Sequence, residues 1–93
     1  MKGEALRKIT DGKTVKVEIW LDEELRISKL LISGDFFAVP IEAIDELESK
    51  ASGKTLGELL DEARRTLERV ELAGISVSDV VELISEAYKR ALS

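Results

Sequence analysis

The stretch Thr14-Val15-Lys16-Val17-Glu18-Ile19-Trp20-Leu21 decides the fold. Val15, Val17, Ile19 and Leu21 alternate with Lys16, Glu18 and Trp20, and a period of two sends the first set to a core and the second outward, so the run predicts a β-strand. Asp22-Glu23-Glu24 makes a polar turn after it, and Leu25 to Ile32 is again apolar and β-branched, stopping at Ser33-Gly34. Upstream, beyond a loose N-terminal stretch, Asp11-Gly12 separates the strand from Ala5-Leu6-Arg7-Lys8-Ile9, and Asp-Gly favours a two-residue hairpin because glycine accepts positive φ at little cost. The expectation is an antiparallel meander of two or three strands. The second strand has mixed parity: Leu25, Ile27 and Leu31 share one face, and Leu30 and Ile32 take the other. A bulge near Ser28-Lys29 reconciles them; the alternative is a sheet covered on both faces, on one side by something outside this chain.

Helical spacing takes over at Pro40, which suits a first turn because its missing N–H is no loss there. Ile41, Ile44 and Leu47 mark a buried stripe that ends at Ser52-Gly53. Thr55 with Glu58 forms a capping box for a second helix, whose stripe is Leu56, Leu59, Leu60, Ala63, Leu67 and Val70, with Gly74 as its stop. Ser76 with Asp79 caps a third, striped by Val77, Val80, Val81, Ile84, Ala87, Tyr88 and Ala91, and Lys89 and Arg90 suit its C-terminal dipole. Glu46 with Lys50, Asp61 with Arg65 and Glu86 with Arg90 are spaced to pair on solvent faces. The sum is an α+β fold, residues 1–93 as a single domain, with three helices packed on one face of the sheet.

Composition narrows the function. A chain of 93 residues supports one modest core. Its 14 basic and 19 acidic residues, net charge −5, leave no electrostatic footprint for nucleic acid. No apolar run reaches the roughly 20 residues of a membrane span, and the start lacks the apolar segment of a secretory signal, which reads as cytoplasmic. With no Cys and no His there is neither thiol nor imidazole chemistry, nor a zinc site or a disulfide framework. Asn and Gln are also missing beside abundant Glu, Lys and Arg, which reads as a thermophile's protein.

Two segments imitate a phosphate loop, Gly12-Lys13-Thr14 and Gly53-Lys54-Thr55, but the upstream glycine that lets backbone N–H groups wrap phosphates is replaced by Arg7 and Glu48. They read as a hairpin turn and a helix connection. Among the carboxylates only Asp35, between Gly34 and Phe36, has apolar surroundings that would tune it; the plainer role is to accept backbone hydrogen bonds in the strand-to-helix loop. Trp20 faces outward, either covering the N-terminal strand or forming part of a contact surface. Phe36 and Phe37 are adjacent, so in extended chain one enters the core and the other needs a cover.

Gly12-Lys13, the alternating strand, Gly34-Asp35-Phe36-Phe37, then Ile41-Glu42-Ala43-Ile44-Asp45-Glu46-Leu47-Glu48 and Gly53 resemble, in that order, the C-terminal accessory domain of lipoate-protein ligases. The closing Gly74-Ile75-Ser76-Val77-Ser78-Asp79-Val80-Val81-Glu82-Leu83-Ile84 resembles that domain's last helix, and the likeness spans about residues 12 to 90. It implies the small α+β fold shared with iron-sulfur scaffold proteins (SufE/IscU-like), though without Cys the sulfur chemistry of those proteins is closed to this chain. The large catalytic domain of the family binds lipoate and ATP, forms lipoyl-AMP and passes the lipoyl group to an acceptor lysine. That domain is missing here, so the chain resembles the archaeal split form, a separate accessory subunit that binds no cofactor alone. The implied partner is the catalytic subunit, with lipoyl acceptor domains met indirectly and neither nucleic acid nor membrane involved. The expected interface is Trp20, Gly34, Asp35, Phe36 and Phe37, with no catalytic or metal-binding residue. The rival expectation is a free-standing adaptor or homodimeric module that uses the same face for another protein.

Overall fold

Alternation in the sequence becomes register in space. The computed structural model describes residues 1–9 and 12–93. Strands β1 (Lys2–Lys8), β2 (Thr14–Leu21) and β3 (Ile27–Gly34) form an antiparallel sheet in that order, followed by β4 (Phe37–Val39), α1 (Glu42–Lys50), α2 (Leu56–Leu67), β5 (Glu71–Ala73) and α3 (Val77–Ala91). The third strand is therefore real and starts at Lys2, so the N-terminal stretch is not loose. Asp11 of the expected turn lies outside the described residues; Gly12 has φ +75°.

Val15, Val17 and Ile19 are fully buried and Leu21 nearly so. The parity conflict in β3 resolves by the first of the two alternatives, a bulge: Trp20 pairs with Lys29 and Leu21 with Ile27, which leaves Ser28 as an extra residue. Ile27, Leu30 and Ile32 then all face the core. Leu25 does not join them. It sits in the preceding turn at φ +65° and is exposed.

On the covered face, α3 lies across β1 and β2, α1 lies against β3, and α2 packs against both helices. α3 approaches β1 closely because β1 offers Gly3 beneath Ala87 and Ala91 and a small, fully buried Ala5 two residues on. A Cβ on Gly3 would run into the Ala87 carbonyl oxygen and the Ala91 amide. Both capping boxes form. Thr55 Oγ1 accepts from the Glu58 amide at 3.3 Å while Glu58 Oε1 accepts from the Thr55 amide at 2.9 Å. Ser76 and Asp79 make the same exchange at 3.0 and 3.1 Å.

Several local expectations give way to tertiary ones. α2 ends at Leu67 and not near Gly74, because residues 71–73 extend to pair with 37–39 as a second, two-stranded sheet. Leu83, outside the expected stripe of α3, is fully buried. Asp61 pairs with Arg64 instead of Arg65. Glu86 pairs with Arg7 of β1 instead of Arg90, and Arg90 donates to the Glu4 carbonyl at 3.1 Å. Arg7 reaches three carboxylates of α3, Asp79 at 3.1 Å, Glu86 at 3.2 Å and Glu82 at 3.5 Å.

β3 is an edge strand whose outer groups are partly closed from within. The Ile27 amide donates to the Lys54 carbonyl at 2.9 Å, its carbonyl accepts from the Gly53 amide at 2.7 Å, and the Ile32 amide donates to Glu48 Oε2 at 2.8 Å.

Candidate functional site

The open face of the sheet is a charged lattice. Cross-strand rows read Lys2, Trp20, Lys29, then Glu4, Glu18, Leu31, then Leu6, Lys16, Ser33. Lys2 Nζ lies 3.0 Å from Glu18 Oε2, and Lys16 Nζ lies 3.4 Å from Glu4 Oε2. The Glu18 carboxyl is held below its ordinary pKa, first by the hydrogen bond from Lys2 and then by the nearby charge of Lys16. Trp20 is half-buried, with the Lys2 and Lys29 ammonium groups 5.0 and 5.1 Å from its ring centre, an arrangement favoured by the quadrupole of the indole. It therefore packs under the N-terminal strand and a neighbour.

Gly34, Asp35, Phe36 and Phe37 lie at the other end of the sheet. Trp20 is opposite Lys29 while Gly34 is opposite Val15, so five residues, about 17 Å of strand, separate them. Trp20 and the tetrad do not share one patch. Gly34 adopts φ +137°, and a Cβ there would meet the Thr14 carbonyl oxygen and stand 2.8 Å from Val15 Cα, so only glycine fits. Asp35 takes the plainer of its two roles: its amide donates to the Thr14 carbonyl at 2.9 Å, and its Oδ2 accepts from the Thr14 amide at 3.2 Å. Gly74, at φ +89°, backs the same corner, because a Cβ on it would come within 3.0 Å of the Asp35 carbonyl oxygen.

This pinned corner fixes the two phenylalanines. Phe36 is half-buried against the core, whereas Phe37 begins β4 with 72% of its surface exposed. Val39 follows two residues on at 62%. Beyond Pro40, Ile41 is 68% exposed and does not join the buried stripe of α1, which consists of Ala43, Ile44 and Leu47. The face that Ile41 shares with Ile44 opens into a cavity of about 220 Å³, lined also by Ile32, Phe36 and Ala38. Phe37 and Val39 on the outer face of β4 and Ile41 just past Pro40 make an exposed apolar rib along the chain, and of the three Ile41 lines that cavity. On β5, Ala73 stands opposite Phe37 and Glu71 opposite Val39. Val39 and Ile41 were not among the expected contact residues; Val39 shares the face of Phe37 on β4, whereas Ile41 follows the cis Val39–Pro40 bond in helical backbone, where a period of two no longer applies.

A second cavity, of about 250 Å³, lies between α1 and α2 and mixes Lys50, Arg65 and Arg69 with Glu46 and Glu62. Its charges compensate one another in part: Glu46 pairs with Lys50 at 2.7 Å and Glu62 with Arg65 at 4.0 Å, which leaves Arg69 without a carboxylate partner among the described residues. Among the described residues no cluster of three carboxylates is placed to hold a metal ion, and no helix is long and apolar enough to cross a membrane.

No family model matches the sequence, and no curated protein does. Solved structures do. The fold is similar to that of a component of an archaeal lipoylation system. The match is to a chain from the structural analysis of a bi-partite lipoate protein ligase and its E2 lipoyl domain from Thermoplasma acidophilum, with a TM-score of 0.78 and 27% identity over 90% of this chain and 94% of that one.

Proposed function

We propose that this chain is the non-catalytic accessory subunit of a two-subunit lipoate-protein ligase, assisting ATP-dependent activation of lipoate to lipoyl-AMP before transfer to an acceptor lysine. The observation that carries the reading is the bare rib of Phe37, Val39 and Ile41 on a chain similar to a component of a bipartite ligase system. A patch of this kind on a small acidic protein marks a docking surface. Lipoate and ATP belong to the complex, since the chain has neither Cys nor His for chemistry of its own. An acyl-adenylate is destroyed by water, so a subunit that covers the site and then withdraws to admit the acceptor protects the intermediate.

Lipoate-dependent exchange between ATP and pyrophosphate tests this. The chain alone should show none, and adding it to the catalytic subunit encoded in the same genome should restore exchange; a catalytic subunit equally active without it overturns the reading. The system from Thermoplasma acidophilum also contains a lipoyl domain, and intact mass in the same mixture separates the two roles. An accessory subunit keeps its mass while the acceptor gains a lipoyl group, and a lipoyl adduct on this chain would make it the acceptor. A free-standing adaptor or homodimeric module would restore nothing.

A further inference from the structure

The apolar rib has a charged border that describes what must meet it. Glu42 follows Ile41 directly, Asp45 lines the 220 Å³ cavity, and Glu71 is the cross-strand partner of Val39; all three are exposed. None of them forms an ion pair with a Lys or Arg of the described residues, although Glu46, next along α1, is paired with Lys50. Arg69, two residues before Glu71, lines the neighbouring cavity together with Pro40 and Ala43 and forms no ion pair among the described residues. The border therefore carries three carboxylates that no ion pair holds, against one guanidinium set in the neighbouring cavity, and remains net acidic around a surface of low polarity. The cavity is smaller than the roughly 300 to 1,000 Å³ of sites that enclose a small molecule, and it fits one large apolar side chain, the kind of anchor that dominates protein interfaces.

Resting on the reading of the chain as a docking subunit, we infer that the partner's face inserts one apolar side chain beside Ile41 and surrounds it with Lys or Arg groups that meet Glu42, Asp45 and Glu71. An acidic partner face would set like charges against one another as water leaves, and a neutral one would strip these carboxylates of water without replacing it. A basic border compensates them and steers the encounter.

Association kinetics with the catalytic subunit, measured at low and high salt, test this. In the triple variant Glu42→Lys, Asp45→Lys, Glu71→Lys, the association rate at low salt should fall by about tenfold or more, and the wild-type loss of rate on adding salt should flatten or reverse. The neutral variant Glu42→Gln, Asp45→Asn, Glu71→Gln should fall in between, and it keeps the test open if the reversal unfolds the chain. Ile41→Ser should act on the dissociation rate instead. If both charge variants bind as wild type while Ile41→Ser dissociates faster, the basic border is overturned and the docking reading stands. If Ile41→Ser also binds as wild type, docking at this face falls with it, and a wild-type chain that shows no binding overturns both.

Discussion

The two ends of the molecule are built to opposite rules. Where α3 crosses β1, everything is closed: small residues let backbones touch, Leu83, Ile84 and Ala87 are fully buried, and Arg7 ties the strand to three turns of the helix. At the β4–β5 ribbon, only Ala38 of β4 is buried, and Phe37, Val39 and Ile41 face water. An isolated two-stranded ribbon contributes little stability of its own. The closed end makes the fold and the open end is available for another molecule, so mutations should separate into those that unfold the chain and those that only disconnect it.

The largest effect should come from the closed end. Leu83→Ala empties a fully buried site and should cost about 2 to 5 kcal/mol by denaturant unfolding. If it costs no more than an exposed substitution, the contrast between the ends fails. Gly3→Ala comes next, at about 1 to 3 kcal/mol, because the added methyl has backbone, not a movable side chain, in its way. A neutral result would mean that α3 is free to shift off β1.

Acid sharpens the contrast, since two tuned carboxylates, Asp79 of α3 and Glu18 of the sheet, belong to the closed part. Asp79 titrates below its ordinary 3.8, first through the hydrogen bonds to Ser76 that cap α3 and then through Arg7. Glu18 titrates below its ordinary 4.5. A depressed folded pKa means that the unfolded chain binds the proton more readily. This stability is fully present above the unfolded values and is lost as pH falls through the folded ones. Thermal midpoints should therefore drop below about pH 4.5, and Asp79→Asn should flatten that fall; an unchanged slope would remove the cap from the account. The smallest effect on stability belongs to Phe37→Ala, within about 0.5 kcal/mol. If the proposed function holds, it nevertheless weakens assembly with the catalytic subunit, and sedimentation of the mixture would show an intact complex if the rib plays no part.

Much of the closed end was legible because its signals are local. The alternation of Val15 to Leu21, both capping boxes and the Ser28 bulge are fixed by residues within a few positions of one another. The open end was not, because strands of three residues carry no period. Val70 falls in phase with the stripe of α2, yet the helix stops at Leu67, since residues 71–73 gain a partner in β4. Adjacency showed that Phe36 and Phe37 must diverge, and Ser33-Gly34 marked the end of β3, but which ring turns inward is set by how Gly34 and Asp35 lock onto Thr14. The ties of Arg7 span more than 70 positions and leave no mark on helical spacing.

The plugged margin of β3 has a further consequence. This chain on its own leaves a greasy strip uncovered, and an open strand margin alongside would invite copies to add on one after another. Here Glu48 and the Gly53-Lys54 loop already occupy those positions at Ile32 and Ile27. At those positions of β3 stickiness is left to side chains, which choose their neighbours by shape, and is withheld from the backbone, which does not.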